Sequence, residues 1–211
     1  MQNSKAMYIF LLGRPGCGKS VVFKKITDKL KAAGVGENYI RVDDFPKLWN
    51  IFQTDKEWKR CRPTPDGGYK VTDNTVWDDL LREVNKDLKE LNKPGSVVFV
   101  EFSRPDYVHS LTNFTPDIMA GAAVLYIDCP FDICWARNVK RHEAAVAAGG
   151  DDHLVSREEM EKTYLHDDFE DLKKKCAVPF ISIENYKDDL SLLDRDIDRV
   201  VEFMKELKKN N

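Results

Sequence analysis

The chain has no apolar run longer than a strand, which excludes a membrane-spanning helix and predicts no membrane partner. It has no excess of one charge: 33 Lys and Arg face 36 Asp and Glu, a net of −3. That balance excludes a chain-wide basic surface for nucleic acid, so any anionic partner must be met by a local cluster. The five cysteines (Cys17, Cys61, Cys129, Cys134, Cys176) lack paired zinc spacing and read as reduced thiols of a cytoplasmic protein. His109, His142, His153 and His166 show no metal-ligand spacing. Internal repeats and low-complexity tracts are lacking, which sets aside solenoids and arrays. The opening MQNSKAMYIF has no charged leader segment or cleavage pattern, and its apolar part reads as a first strand. The 211 residues are enough for one domain, 1–211, with a real core.

What is present is concentrated early. The apolar run Met7–Leu12 stops at Gly13, and Gly13, Arg14, Pro15, Gly16, Cys17, Gly18, Lys19 and Ser20 follow, then Val21 and a helical pattern. This is G-x-x-x-x-G-K-S between a strand and a helix, the context a phosphate-binding loop requires. Glycines let successive backbone N–H groups turn into one concavity, and the helix N-terminus adds positive potential. Gly13 to Val21 are therefore expected to cradle the phosphates of ATP, with Lys19 on the β- and γ-phosphates and the Ser20 hydroxyl on Mg²⁺. Cys17 sits at a variable position of the motif, where exposure would leave it oxidisable.

Downstream, apolar runs alternate with helical periodicity. Val22, Phe23, Ile26 and Leu30 recur at helical spacing, ended by Gly34 and Gly36. Tyr39–Val42 reads as a strand ending at Asp43-Asp44, and Phe45, Leu48, Trp49 and Phe52 as a short helix. Residues 55–71 read as a basic, Pro- and Gly-bearing connection, either a solvated loop or a substrate-side surface for an anionic group. A long helix follows from Thr72 to Leu91, then the continuous run Ser96–Val100 ending at Glu101, typical of a buried parallel strand. Two more strands are predicted, Ala122–Ile127 ending at Asp128 and Val178–Ile183 ending at Glu184-Asn185. Between them lie a helix from Phe131 to about Ala148, a break at 149–152, and a helix running from the capping box Ser156-x-x-Glu159 to about Lys175. A last helix uses Leu193, Ile197, Val200, Met204 and Leu207. Five short strands alternating with helices predict a three-layer α/β P-loop fold: a five-stranded parallel sheet, helices on both faces and a helical lid over about 137–160. Ligands of such a sheet bind at the carboxyl ends of its strands.

The candidate chemistry lies at those ends. Glu101 is suited to support Mg²⁺, often through water. Asp43 or Asp44 is suited to orient an acceptor hydroxyl and take its proton, and each raises the pKa of the other; the other Asp is left for the acceptor or for capping the next helix. Arg137 and Arg141 lie at i and i+4, on one helix face, where guanidinium groups can bridge transferred phosphate oxygens or stack on a base. Arg104 either binds the acceptor or pairs with an acid.

These features together resemble P-loop kinases of the nucleoside-monophosphate-kinase-like class, and within it the polynucleotide 5′-hydroxyl kinase and seryl-tRNA kinase type. The residues that carry the resemblance are the loop Gly13–Ser20, the Asp-Asp-aromatic turn in Arg41–Phe45, and the lid pattern Asp128-Cys-Pro-Phe with Arg137-Asn138-x-x-Arg141, Val155-Ser156, Met160 and Tyr164. The resemblance implies Asp43 as the hydroxyl-activating base and Arg137 and Arg141 as lid arginines on ATP. The expected function is Mg²⁺-dependent transfer of the γ-phosphate of ATP to a hydroxyl, or a phosphate, of a nucleic-acid end, a tRNA, a nucleotide or a small metabolite, by a monomer or dimer. Lys19, Asp43 and Arg141 are the expected catalytic residues, and adenine is expected near Arg137 and Asn185. The rival from another class is a nucleotide-binding switch or scaffold.

Overall fold

The strand Met7–Leu12 is buried at every residue, so its alternating side chains must serve two cores rather than one core and solvent. The computed structural model describes residues 5–149, 154–186 and 190–210. In it, β1 (Met7–Leu12), β2 (Asn38–Asp43), β5 (Ser96–Phe102), β6 (Ala122–Asp128) and β7 (Phe180–Glu184) form one sheet in the order β2-β5-β1-β6-β7. Every pairing in it is parallel. Met7, Ile9 and Leu11 pack with α1 (Lys19–Ala32) and α9 (Leu190–Asn210) through Val22, Ile26, Leu30, Ile197 and Val200. Tyr8, Phe10 and Leu12 pack on the opposite face with Leu81, Val84 and Leu88 of α3 (Thr75–Glu90) and with Tyr107 of α4 (Tyr107–Leu111). This is the expected three-layer α/β arrangement, with the phosphate-loop sequence at the carboxyl end of the central strand.

Three stretches differ from the sequence reading. The basic connection 55–71 holds a two-stranded antiparallel hairpin, β3 (Cys61–Pro63) and β4 (Tyr69–Val71), after α2 (Phe45–Thr54). Asp55 builds its base by accepting the N–H groups of Lys59, Arg60 and Cys61. With α2 and α3 the hairpin encloses a third, smaller core of Leu48, Phe52, Cys61, Val71, Val76 and Leu80. Second, short helices α4 and α5 (Pro116–Met119) occupy the crossover before β6.

Third, α6 (Phe131–Ala147) forms as predicted, but the helix expected from Ser156 to Lys175 is three pieces. α7 (Arg157–Glu159) runs into a π-helical turn (Met160–Tyr164), and α8 (Phe169–Lys175) follows separately. The chain leaves the helical path at Asp167-Asp168 because both carboxylates are engaged elsewhere. Asp167 pairs with Arg14, and Asp168 accepts the N–H groups of Tyr107 and Val108. Of the predicted break at 149–152, residues 150–152 lie outside the described residues.

Candidate active site

α1 begins at a residue that cannot cap it. Gly18 has φ 98° and brings no side-chain hydrogen bond to the first helical donors, leaving the N-terminus of α1 open to an anion. Gly16 has φ 84°, and a Cβ there would lie 2.3 Å from the carbonyl oxygen of Cys134. The curl of the loop thus depends on glycine at these two places. The Lys19 ammonium bonds the loop carbonyls of Gly13 (2.9 Å) and Arg14 (3.1 Å) and the Ser103 hydroxyl (2.9 Å). Ser103 also donates to Gly13 O at 2.7 Å, and the Gly13 N–H donates to the Tyr107 hydroxyl at 3.1 Å.

A cavity of about 390 Å³ opens against this loop. Its walls include Pro15, Gly16, Gly18, Lys19, Ser20 and Val21 on one side, Asp43, Asp44 and Glu101 at the strand ends, and Arg104, Arg137 and Arg141. Parallel register explains the acid pair: Asp43 of β2 is the direct neighbour of Glu101 of β5. Arg41, two residues before Asp43 and so on the same face of β2, donates to Glu101 Oε2 at 2.7 Å and reaches Asp43 Oδ2 at 3.3 Å. Asp43 Oδ1 accepts the Phe45 N–H, fixing the carboxylate at the turn into α2. Burial pushes the Glu101 carboxyl above its ordinary range; Lys19 and Arg41 oppose that shift and Asp43 adds to it.

Asp44 and Arg104 pair with each other at 2.5 Å, both buried. Of the two readings of Arg104, pairing with an acid is the one the structure displays, and the same side chain also lines the cavity. Its guanidinium lies over the Trp77 ring (4.6 Å), and its Nε–H has no partner among the described residues. Burial drives the Asp44 carboxyl upward against the pull of Arg104, with Asp43 adding to the rise.

On the far side, Arg137 donates to Asn185 O at 2.7 Å, and Asn185 Nδ2 donates to Cys17 O at 2.7 Å. The two residues expected beside adenine are therefore adjacent, and Arg141 stands one turn further along α6.

The Arg14 side chain takes no part in the cavity, and Cys17 departs from expectation. The Arg14 guanidinium turns away from the cavity to Tyr164 O (2.8 Å), Cys129 O and Asp167 (3.2 Å), so it braces the loop from behind. Cys17 is fully buried, with its N–H taken by Arg14 O, so the expected exposure and ready oxidation do not hold. Burial also raises its thiol pKa. Four cations of the 55–71 segment face carboxylates rather than the cavity: Lys59 with Glu57, Arg60 with Asp79, and Arg62 and Lys70 with Glu158. Those pairs disfavour the reading of this segment as a surface for an anionic group.

Sequence reasoning missed Arg41, Ser103, Tyr107 and the aromatic side of the cavity. Only Arg41 carried a usable signal, its i, i+2 spacing to Asp43 on a predicted strand. No group of three or more His, Cys, Asp or Glu among the described residues forms a metal cage. Ser20, exposed at the start of α1, and Glu101 across the cavity fit the other way of holding Mg²⁺, in which a few protein oxygens are completed by phosphates and water. No helix among the described residues is long and apolar enough to cross a membrane.

No family model matches the chain, and no curated protein sequence matches it. Solved structures do. The APS kinase of Mycobacterium tuberculosis, in complex with AMPPNP and APS, is 17% identical over 96% of this chain and 99% of that one, with a TM-score of 0.54. A gluconokinase of Sinorhizobium meliloti is 14% identical over 97% and 98%, with a TM-score of 0.52. A shikimate kinase of Acinetobacter baumannii, in complex with shikimate, is 14% identical over 94% and 94%, with a TM-score of 0.50. At such identities the likeness shows the fold, which is that of the P-loop kinases.

Proposed function

We propose that this chain is an ATP-dependent phosphotransferase that moves the γ-phosphate to a hydroxyl of a small acceptor. The observation that carries the reading is the Asp43 carboxylate, fixed beside Glu101 and facing the same cavity as the phosphate loop. A cavity with a phosphate cradle at one wall and an anchored carboxylate at another has both halves of a transfer site. The solved structures of similar fold include kinases, one holding both AMPPNP and APS, and that supports the reading without naming the acceptor.

In this reading the N–H groups at the start of α1 and the Lys19 ammonium hold the phosphates. Lys19 would exchange its bonds to Gly13 O and Arg14 O for phosphate oxygens. Ser20 and Glu101 would hold Mg²⁺, which when bound neutralises charge on the β- and γ-phosphate oxygens. Asp43 orients the acceptor hydroxyl and takes its proton as the oxygen attacks the γ-phosphorus. The bond to the β–γ bridging oxygen breaks and ADP leaves. Arg141 meets the charge on the transferring group, and Arg137 with Asn185 borders the base. The lid expected over about 137–160, in its described parts 137–149 and 154–160, would exclude water that otherwise competes with the acceptor.

The finer resemblance, to polynucleotide 5′-hydroxyl and seryl-tRNA kinases, is a proposal that the pairing of Lys59, Arg60, Arg62 and Lys70 with carboxylates disfavours, since an RNA backbone gains most of its affinity from unpaired basic groups. A nucleotide-binding switch is the second class. Transfer of label from γ-labelled ATP, screened across RNA 5′-ends, aminoacyl-tRNA, nucleosides, nucleoside monophosphates and sugars, separates these. A labelled product supports the kinase reading; tight ATP binding with no product in any arm favours the switch.

A further inference from the structure

The acceptor half of the cavity is built by α2, the β3–β4 hairpin, α3 and the carboxyl end of β5. Alternation along β4 sends Tyr69 and Val71 to the cavity and Lys70 outward to Glu158. Phe45, Leu48 and Phe52, at helical spacing on α2, present one apolar face to it, and Trp77 adds a ring from α3. Phe52 and Tyr69 stack at 4.6 Å with an interplanar angle of 4°. This wall is aromatic, whereas a polyhydroxylated acceptor would need a dense set of polar side chains.

Charge narrows the class further. Arg104 and Arg41 are cations of this half, the first matched by buried Asp44 and the second by Glu101 and Asp43. Asp43 and buried Glu159 add carboxylates, and Lys70, Arg60 and Arg62 are committed to other acids. An acceptor bearing its own phosphate or carboxylate would lose its water here without gaining an unmatched cation. Arg104 lines this half of the cavity, while its Nε–H, without a partner among the described residues, is closed off from the cavity as well as from solvent.

We propose, resting on the phosphotransferase reading, that the acceptor is an uncharged molecule that joins a planar heteroaromatic ring to a hydroxyl. The ring lies against Phe45, Phe52, Tyr69 and Trp77. A ring nitrogen or carbonyl oxygen meets the edge of the Arg104 guanidinium that lines the cavity. The hydroxyl reaches Asp43. Transfer forms a bond from the hydroxyl oxygen to the γ-phosphorus, breaks the bond to the β–γ bridging oxygen, and leaves the hydroxyl proton on Asp43, giving ADP and a phosphomonoester. Two sources share this chemistry: nucleosides, and free heterocycles with a hydroxymethyl arm.

The test is calorimetric titration of the full chain, saturated with AMPPNP and Mg²⁺. The probes are adenosine, guanosine, cytidine, uridine and pyridoxine, with the four nucleoside 5′-monophosphates, ribose and myo-inositol as comparators. At least one uncharged ring compound should bind about tenfold or more tighter than the monophosphates and the ring-free polyols. Preference for nucleosides or for pyridoxine assigns the source. Equal or tighter binding of a monophosphate or a polyol, or no binding of any ring compound, overturns the proposal. Trp77→Leu should weaken the ring compound about tenfold while AMPPNP affinity stays within about twofold. Because Trp77 also supports Arg104, Tyr69→Leu is run beside it, and unchanged ring affinity in both folded variants overturns the assignment of the wall. The two readings fail separately. A ring compound that binds but accepts no label from ATP removes the phosphotransferase reading and keeps the ring site. Label moving only to a ring-free acceptor does the reverse.

Discussion

The Arg41 guanidinium joins Glu101 (2.7 Å) to Asp43 (3.3 Å), so one side chain on the edge strand holds both acids of the cavity in place. Glu101 is buried whereas Arg41 is a third exposed. The pair is therefore a positioning device more than a source of stability. Arg41→Met should cost on the order of 1 kcal/mol by urea unfolding, after screening of the exposed partner. It should raise the Mg²⁺ concentration for half-maximal ATP turnover several-fold. An unchanged Mg²⁺ requirement in the folded variant removes Arg41 from this role.

The raised pKa of Glu101 gives a pH test. A carboxyl whose folded pKa lies above its unfolded value favours the protonated form in the fold. The stability penalty of ionising it is absent below the unfolded pKa and is fully present once pH passes the folded one. Its charge, which Mg²⁺ needs, is lost as pH falls through the folded pKa. The Mg²⁺ requirement should accordingly rise on acidification at a higher pH than an ordinary glutamate would cause. Glu101→Gln should have a high requirement that is flat with pH. A wild-type requirement with no such rise would contradict the assignment of Glu101.

Gly16 tests the loop. Its Cβ would meet a backbone oxygen, Cys134 O, at 2.3 Å, and φ is 84°. Gly16→Ala should destabilise by about 1–3 kcal/mol and weaken AMPPNP binding about tenfold or more. Gly67 also has positive φ, but open space surrounds it, so Gly67→Ala should cost only the backbone term, about 1–2 kcal/mol, and leave AMPPNP binding unchanged. Thermal melts and titration of both variants check this, and equal nucleotide binding by Gly16→Ala would contradict the cradle.

Glu159 ties the proposed lid to the hairpin. Its buried carboxylate accepts the Val71 N–H (3.1 Å) and the Thr163 hydroxyl, beside the Tyr69–Val155 bridge and the Lys162 bond to Val71 O. Glu159→Ala leaves the Val71 N–H unmet, a loss of about 1–3 kcal/mol. Hydrogen exchange at Val71 should quicken while amides within α1 keep their protection. Uniform quickening would mean that the lid and hairpin are not a local unit.

The central strands were legible because they are buried on both faces: Met7–Leu12, Ser96–Val100 and Ala122–Ile127 each read as an unbroken apolar run. The hairpin was not, since Cys61–Pro63 and Tyr69–Val71 are three residues each, set among prolines, glycines and cations. The acid at the end of each strand was readable, but the adjacency of Asp43 and Glu101 is a property of register that no local pattern encodes. Arg14 shows the same limit. The motif places it among the loop residues, yet the distant Asp167 turns its side chain away. Of the aromatic wall, Phe45 and Phe52 were visible only as residues on a predicted helix, where apolar spacing cannot tell a core face from a cavity face, and Tyr69 lay in a stretch read as a connection.

The most direct measurement compares ATP binding and phosphate transfer in Lys19→Ala and Asp43→Asn, using the acceptor found by the screen. Asn keeps an oxygen for the Phe45 N–H, so the turn into α2 should survive. The account predicts that Lys19→Ala loses ATP turnover. It predicts that Asp43→Asn binds ATP within about twofold of wild type yet transfers at least about a hundredfold more slowly. Transfer by Asp43→Asn at the wild-type rate would contradict it.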